Sequence, residues 1–487
     1  MNLRQALRIG LVLFLIFPFL FLLTQFQVTS WPDMGELAWA FKNSFLQATL
    51  SAVFSLLIGF WVALGLLSLN SPRTRRLRFV LELLCLLPNF LPPIFILLSA
   101  LSVIDPFPMG ISGIVIIHSL MNFGLAAVLL ASTIETKLGG IIELAYVEGA
   151  SRFRFLRQGL LPMLKKDIWL LGLFIFVVCF GSFAVPLIVG GGRGTTVEVL
   201  IYEKIRLSSQ WGDAVLLAFL QSVFIFALSF IASRGKGSLY HRPANLKLLR
   251  SYSGLIVIAV LSFVYLFGYV QGFVSGLAMI STFYELQSAL IWNFLGSIVL
   301  GLSVGLLCYV GLMWIAYCWP KKWFERFLNG YVAPSTSLAC FSLLILGPNE
   351  GLFPFFKIPL ALTILSLNSL FRMGWDSELH ALQNQMTVAY SMGASSGQIF
   401  REVLFPQLSR RAGLLAGVAS IWACGDFAVS RILAHRDLSI AMMTETLMSG
   451  YRLNQAIVLS SLIIVAGLIC FLICVGGSRV LSRKFAP

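Results

Sequence analysis

Charge is scarce in this sequence. Asp, Glu, Lys and Arg together make up 11% of its 487 residues, against about 25% in an average soluble domain. An ordinary water-facing surface cannot be covered with so few. Histidine is rarer still, four in all, and none has a second ligand at helical or turn spacing. No metal site and no cofactor are therefore expected. Nothing reads G-x-x-x-x-G-K-[ST], the loop that cradles nucleotide phosphates. No polar stretch is long enough for a soluble catalytic domain either, so the chain is not expected to be an enzyme. The glycine-rich VGGGRGTT at 189–196 has no lysine placed for a phosphate and reads as a flexible exit from a helix. The eight cysteines (85, 179, 308, 318, 340, 424, 470 and 474) all fall in apolar segments. Without a paired framework or metal spacing, they read as small buried hydrophobes.

What the chain has in abundance is apolar length: 58% of it is hydrophobic and the mean hydropathy is +0.90. A helix crossing a bilayer takes about 20 apolar residues. Twelve segments meet or approach that, near 9–24, 45–68, 79–103, 111–132, 168–189, 213–232, 252–272, 290–317, 328–347, 356–371, 413–434 and 455–475. The start, MNLRQALRIG and the apolar run to Leu23, has the outline of a signal peptide but lacks a small-residue cleavage site. It reads as the first span.

The net charge of +15 could suggest nucleic acid; its distribution says otherwise. Of the 35 Lys and Arg residues, 27 fall in alternate inter-span segments and the ends, and 8 elsewhere. SPRTRRLR, the 143–162 loop, SRGKGSLYHRPANLKLLR, PKKWFER, the 387–406 loop and SRVLSRK are the basic set. That asymmetry is the positive-inside rule, so both termini are expected in the cytoplasm and nucleic acid is not expected as a partner.

Six spans lie on each side of a polar stretch at 233–251, which reads as a cytoplasmic linker between modules at 1–232 and 252–487. The modules share an internal repeat. Gly149 and Gly393, Pro162 and Pro406, and Gly181-Ser182-Phe183-Ala184-Val185 and Gly425-Asp426-Phe427-Ala428-Val429 all recur at an offset of 244. Asn122 and Asn368 form a looser match. An even number of spans per module makes the repeats parallel. The expected fold is an all-α polytopic membrane protein of about twelve transmembrane helices.

Two polar intervals repeat most closely: ELAYVEGASRFRFLRQGLLP at 143–162 and TVAYSMGASSGQIFREVLFP at 387–406. Each reads as two short helices joined at a break. Glycine tolerates the left-handed backbone that ends the first, serine (Ser151, Ser395) caps the second, and proline opens the span beyond. The pattern resembles the EAA motif of permease subunits of bacterial binding-protein-dependent ABC importers: Glu-Ala-Ala, three residues, Gly, nine residues, Ile, one residue, Leu-Pro. The first copy keeps Glu143, Ala145, Gly149, Leu161 and Pro162, with Leu144 and Gly159 as departures. The second keeps Ala389, Gly393 and Pro406, with Thr387, Val388, Val403 and Phe405 as departures.

The resemblance implies a bacterial inner-membrane subunit whose two loops dock on ATP-hydrolysing subunits, two copies of them, with a periplasmic substrate-binding protein delivering cargo. Fused double permeases of this size resemble those of the thiamine and ferric-iron importers. GDFAVSRILAHRDLSIAMMTETLMSGYRLNQAIVLSSLI, with Gly425-Asp426 and Gly450-Tyr451-Arg452, is more similar to the thiamine group. A secondary transporter with six-plus-six repeats is the alternative of another class, but it would have no use for two such loops.

Four polar residues within spans are pathway candidates. His118 and Asn122 share a helix face, and an inter-helical hydrogen bond is the alternative role for the pair. Asn368 is the second-half match to Asn122. Asp426 stands where the first half has Ser182; an ionised aspartate at the centre of a lone span costs about 2.5–3.5 kcal/mol on insertion scales. It should face a cavity or meet an internal partner such as Arg431. Pro88, Pro92 and Pro93, and Pro334 in the second half, should kink the spans that hold them.

The charge pattern sets a test of orientation. In a cysteine-free background, single cysteines at Ser208 and Ser449 should react with an impermeant thiol reagent from outside, and one at Ser151 should not. Outside labelling at Ser151 would reverse the topology.

Overall fold

The computed structural model describes residues 3–484 except 24–32, 72, 207, 209, 233–246, 279–286, 320, 331–335, 349 and 435. Most of the linker expected at 233–251, and Pro334, lie outside the described residues. Among those described there is helix and turn but no strand. A chain this apolar has one economical way to satisfy its backbone in lipid, which is within each helix.

The first half runs α1 (Leu3–Leu23), α2 (Met34–Leu67), α3 (Arg75–Phe90), α4 (Pro93–Val103) and α5 (Ile111–Thr133). A π-helical turn (Ile134–Leu138), α6 (Gly139–Val147) and α7 (Arg152–Phe155) come after it, then a second π turn (Leu156–Leu160). Next come α8 (Leu161–Phe180), α9 (Ala184–Val189), α10 (Val197–Arg206) and α11 (Trp211–Ala232). The second half holds α12 (Ser253–Leu277), α13 (Gln287–Cys318), α14 (Lys322–Gly330), α15 (Thr336–Ile345) and α16 (Pro354–Leu370). It continues with a π turn (Phe371–Trp375), α17 (Asp376–Ala381), α18 (Gln383–Ser391) and α19 (Ser396–Gln398). A last π turn (Ile399–Leu404) leads into α20 (Phe405–Cys424), α21 (Ala428–Leu433), α22 (Ile440–Ser449) and α23 (Leu453–Lys484).

Seven helical stretches among the described residues are long and apolar enough to cross a membrane, or eight if α3 and α4 form one span. Those two meet at 102°, where Pro92 and Pro93 cannot continue the hydrogen-bond ladder of α3. The other expected spans coincide with α1, α8–α9, α15 and α20–α21, which are shorter or carry charges such as Lys165, Lys166 and Asp167. Two expectations change in form. The segments 168–189 and 413–434, read as single spans, are each broken, at Gly181–Phe183 and at Gly425–Phe427.

The helices gather into two compact units that do not coincide with the halves of the chain. One comprises Met34–Val199 and Ala227–Val274, the other Met1–Asp33, Leu200–Phe226 and Ser275–Pro487. In the smaller unit, α2 packs against α5 and α8. Its buried face is a row of small or polar residues: Ala40, Ser44, Ala48, Ser51, Ala52, Ser55 and Gly59. Small side chains let membrane helices approach closely. A Cβ on Gly59 would lie 2.6 Å from that of Ala126, and one on Gly124 would lie 1.7 Å from the Cys85 carbonyl oxygen. Around this seam Val62, Phe123, Leu130, Ile142, Leu160 and Leu164 form a buried core. The described end of the linker joins that core rather than trailing free: Leu248 and Leu249 are buried in a short turn against α6. In the larger unit, α20 packs on α13 and α23 by the same device; a Cβ on Gly413 would meet the Ser478 hydroxyl at 1.9 Å.

Candidate functional site: two glycine-ended loops and the broken helices beyond them

The loop at 143–162 is built by its glycine. Gly149 takes φ +72°, its N–H reaches the Tyr146 carbonyl at 3.2 Å, and the Ala150 N–H reaches that of Ala145 at 2.9 Å. This pair of reversed bonds is a Schellman ending. In the second loop Gly393 takes φ +81°, with Gly393 to Tyr390 and Ala394 to Ala389 both at 3.0 Å. A Cβ at either glycine would meet nothing within 4 Å. Glycine is required by the left-handed backbone, not by crowding.

The serines cap the next helical turn in each loop. The Ser151 hydroxyl accepts from the Arg154 N–H. Ser395 accepts from the Gln398 N–H at 3.4 Å, and Gln398 Oε1 accepts the Ser395 N–H at 2.8 Å, closing a capping box. Each unit then passes through a π turn into a helix whose first turn holds Pro162 or Pro406. Ile142, Leu160 and Leu164 anchor the first loop in the core of its unit, as Met386, Ile399 and Leu404 anchor the second.

The outward faces of both loops carry large apolar side chains among charged and polar ones. Val147, Phe153 and Met392 are 77%, 74% and 81% exposed, and Leu144, Tyr146, Leu161, Val388 and Tyr390 are exposed beside them. Of these, only Leu144 with Val388 and Tyr146 with Tyr390 stand at matching places in the two loops; large side chains left in water in both loops still mark surfaces made to be covered. Glu143 is exposed on that face. Thr387, in its place, turns its hydroxyl to the Gln383 carbonyl of its own helix, 3.0 Å away. Ala145 and Ala389 are half-buried.

The loops are held differently at their lead-ins. In the first half Arg78 of α3 bridges to Glu135 at 2.5 and 3.0 Å and Lys137 bridges to Asp167 at 2.5 Å. In the second, Arg4 of α1 reaches the Tyr390 hydroxyl and the Ser396 carbonyl, with its guanidinium 5.1 Å from the Tyr317 ring centre. No sequence cue marked Arg4 for this role.

Beyond the loops, α8 and α20 end at Gly181 and Gly425, and a short helix restarts three residues later. Asp426 sits at the restart of α21. Its Oδ2 accepts the Ser430 N–H at 3.1 Å and faces the Ser430 hydroxyl at 3.5 Å. A carboxylate at a helix start satisfies N–H groups that have no intrahelical partner. Arg431 is not its partner: that guanidinium binds Glu445 at 2.5 and 3.0 Å and Asp437 at 3.1 Å. Arg206 of α10 caps the other end of α21 at the Arg431 and Ile432 carbonyls.

His118 and Asn122 lie buried in the smaller unit, and Asn368 and Asp426 belong to the larger. His118 Nδ1 is 3.0 Å from Gln47 Oε1, and Gln47 Nε2 donates to the Cys179 carbonyl at 2.8 Å. Asn122 donates to the His118 carbonyl at 2.8 Å. The pair thus stitches α5, α2 and α8 together. Asn368 is buried on α16.

Sequence reasoning missed two serines. The Ser44 hydroxyl accepts the Val197 N–H at the start of α10, and that of Ser297 accepts the Ile440 N–H at the start of α22, both at 2.9 Å. Polar residues inside an apolar helix were the available signal. Tyr451, noted in the sequence only for the resemblance of Gly450-Tyr451-Arg452, is a non-glycine residue at φ +57° that ends α22 in a Schellman turn, 92% exposed. An aromatic side chain held in that region carries strain.

Residues 55–236 match the family described as "Binding-protein-dependent transport system inner membrane component". The thiamine transport system permease protein ThiP of Escherichia coli is 30% identical over 225 residues, 42% of this chain and 41% of that one. The ThiP of Salmonella typhimurium is 30% identical over 224 residues with the same shares. The ThiP of Brucella suis is 24% identical over 418 residues, 77% of this chain and 73% of its own. The chain thus spans about two fifths of the length of the first two relatives and about three quarters of the third. No solved structure matches it. The family matched over residues 55–236 is described as an inner membrane component, and the helices are those of an all-α multi-pass membrane protein.

The cap on α21 yields a stability test. Asp426→Asn keeps an acceptor for the Ser430 N–H and should melt close to wild type in detergent. Asp426→Leu removes it and should cost about 1 kcal/mol, lowering the melting temperature and the yield. A Leu variant as stable as wild type would dismiss the cap.

Proposed function

We propose that this chain is the membrane-spanning subunit of an ATP-driven importer that takes thiamine or a close relative from a periplasmic binding protein into the cytoplasm. One observation carries the reading. The chain presents two loops, 143–162 and 387–406, with the same Schellman ending, a serine cap, and exposed apolar side chains at two matching places, Leu144 and Tyr146 in one and Val388 and Tyr390 in the other. A paired, repeated docking surface fits a pair of identical partners, which here are two ATP-hydrolysing subunits. The chain itself performs no covalent chemistry; it is a transport subunit, and the ATPase is a separate protein.

The geometry suits transmission of force. Each loop is fixed to the next helix by a cap and a π turn, so a push on the loop moves α8 or α20 with it. These helices have 20 residues each, about 30 Å of lever. They end at the breaks at Gly181 and Gly425, where backbone continuity stops and a short helix restarts. Closure of the ATPases on ATP would pull both levers and so switch the modules 1–232 and 252–487 between outward and inward access. In this scheme both termini and both loops face the cytoplasm, in keeping with the basic segments beside them. Asp426 at the second break stands where a cationic cargo would pass, with His118, Asn122 and Asn368 as further pathway candidates. Two coupling loops and one Asp in a broken span favour this scheme over a secondary transporter.

The cargo follows the relatives, each of which is named for thiamine transport. A strain unable to make thiamine and lacking this gene should need far more external thiamine to grow, and should take up less labelled thiamine. Unimpaired uptake, with a growth defect relieved by added iron, would move the cargo to ferric iron and leave the importer reading intact.

A further inference from the structure

An open groove that exposes no polar surface lies beside the second loop in the larger unit. One face of α13, with Tyr309, Met313 and Tyr317, forms its floor; Leu7 of α1 and Phe400 and Phe405 of the loop form its walls. Its volume is about 450 Å³, within the about 300–1,000 Å³ of small-molecule sites. The polar tips of its rings are engaged elsewhere: the Tyr309 hydroxyl meets that of Ser409 at 2.8 Å, and the Trp314 indole donates to the Leu7 carbonyl at 3.1 Å. A peptide or a charged cargo in this groove would bring polar groups that find no partner. A hydrocarbon chain brings none.

The groove faces lipid along its side and cations at one end. Val310, on its edge, and Leu306, a turn away, are exposed on a helix apolar enough to span the bilayer. The helix rises about 12 Å from Tyr309 to Tyr317, against about 15 Å of hydrocarbon in one leaflet. At the Tyr317 end, Arg4 lies 5.1 Å from the Tyr317 ring centre and 5.7 Å from that of Tyr390. One of its terminal nitrogens donates to the Tyr390 hydroxyl and the other to the Ser396 carbonyl at 3.4 Å, which leaves a further N–H on each. Arg8, one turn on and buried, donates to the Cys318 carbonyl at 2.8 Å. Among the described residues neither guanidinium pairs with a carboxylate, whereas Arg401 on the loop is answered by Glu402 at 3.2 Å. Lys321 and Lys322 are exposed just after α13 at the same end. Tyrosine, arginine and lysine together mark a membrane–water boundary. Unanswered cations there attract anionic headgroups.

We infer that this groove binds an anionic glycerophospholipid, one acyl chain lying along α13 and the phosphate meeting the free N–H groups of Arg4. A guanidinium fork suits phosphate oxygens. The acyl chain packs on Phe400 and Phe405, and these belong to the last π turn and the first turn of α20. Bound lipid therefore braces the 387–406 loop against α1 and α13. The site depends neither on the cargo nor on the ATPase, and its test uses no transport.

The test is lipid binding to the purified, delipidated full chain in detergent, read by native mass spectrometry and by melting temperature. Dioleoyl phosphatidylglycerol is the probe, dioleoyl phosphatidylcholine the control with the same chains and no net charge, and oleate the anion without a phosphate. The wild type should hold one phosphatidylglycerol, melt higher with it, and bind phosphatidylcholine about tenfold more weakly. Arg4→Gln should weaken phosphatidylglycerol by about tenfold, the size of a lost charge-assisted bond, and leave phosphatidylcholine unchanged. Val310→Trp fills the groove from an exposed position, so it should fold and lose both lipids. Leu306→Trp, on the same helix but outside the groove, should bind as wild type. Equal affinity of the wild type for the two phospholipids overturns the inference, as does wild-type binding by Arg4→Gln or Val310→Trp. Loss of binding in Leu306→Trp to the same extent would make the lipid a general coat and overturn it. Oleate displacing phosphatidylglycerol at equal concentration would give the groove to a fatty acid and overturn it as well.

Discussion

A backbone inside a bilayer has no water to bond with, so each N–H and C=O must find its partner in the protein. This constraint shapes the whole chain. It makes the fold helical, and it makes each interruption of a helix an event that needs a named partner. The Ser44 and Ser297 hydroxyls receive the N-termini of α10 and α22, Asp426 receives that of α21, and Lys357 covers the Gly347 carbonyl at 3.0 Å. At the loops, where water returns, the Schellman turns do the same work with backbone alone. Interruptions are costly to build, so they mark where a helix had to stop for a reason other than length. In both halves two of them fall at the same places, the loop and the break about 20 residues beyond it.

Much of this was readable in the sequence. Glycine, serine and proline at fixed offsets encode a left-handed turn, a cap and a helix start, because each residue has a backbone property that the others lack. The apolar segments gave helix positions for the same kind of reason. Tertiary exchange was not readable. Nothing in the pattern of α1 or α12 shows that the first sits with the second half and the second with the first; apolar faces do not carry an address. The breaks after α8 and α20 were hidden too, since GSFAV and GDFAV are apolar enough to continue a span. Asp426 was picked out by its charge, but its partner was not: Arg431, near in sequence, is claimed by Glu445 and Asp437. The expectation that no histidine has a possible ligand at helical spacing fails at His380, which meets Asp376 four residues before it as well as Glu325, 55 residues away.

The repeat is one design carried out twice with different chemistry. Glu143 becomes Thr387, Ser182 becomes Asp426, and the Arg78–Glu135 bridge gives way to the contacts of His380 with Glu325 and Asp376. Backbone features have stayed equal while side-chain charges have moved. That division is expected if the turns and levers are common machinery and the charges serve tasks that differ between halves: a different contact with a partner, a different gate, a different clamp.

The central claim is that the two glycine turns transmit force from ATPase subunits to the helices beyond. Aspartate at Gly149 and Gly393 together would place a Cβ and a charge on left-handed backbone, which costs about 1–2 kcal/mol per turn, while leaving the apolar spans untouched. The decisive measurement is co-purification of the ATPase with this double variant, scored beside its membrane abundance and its uptake. The account predicts a protein inserted at normal levels that retains little ATPase and transports poorly, with Gly149→Asp alone the more damaging single change. Wild-type co-purification and uptake in the double variant would contradict it.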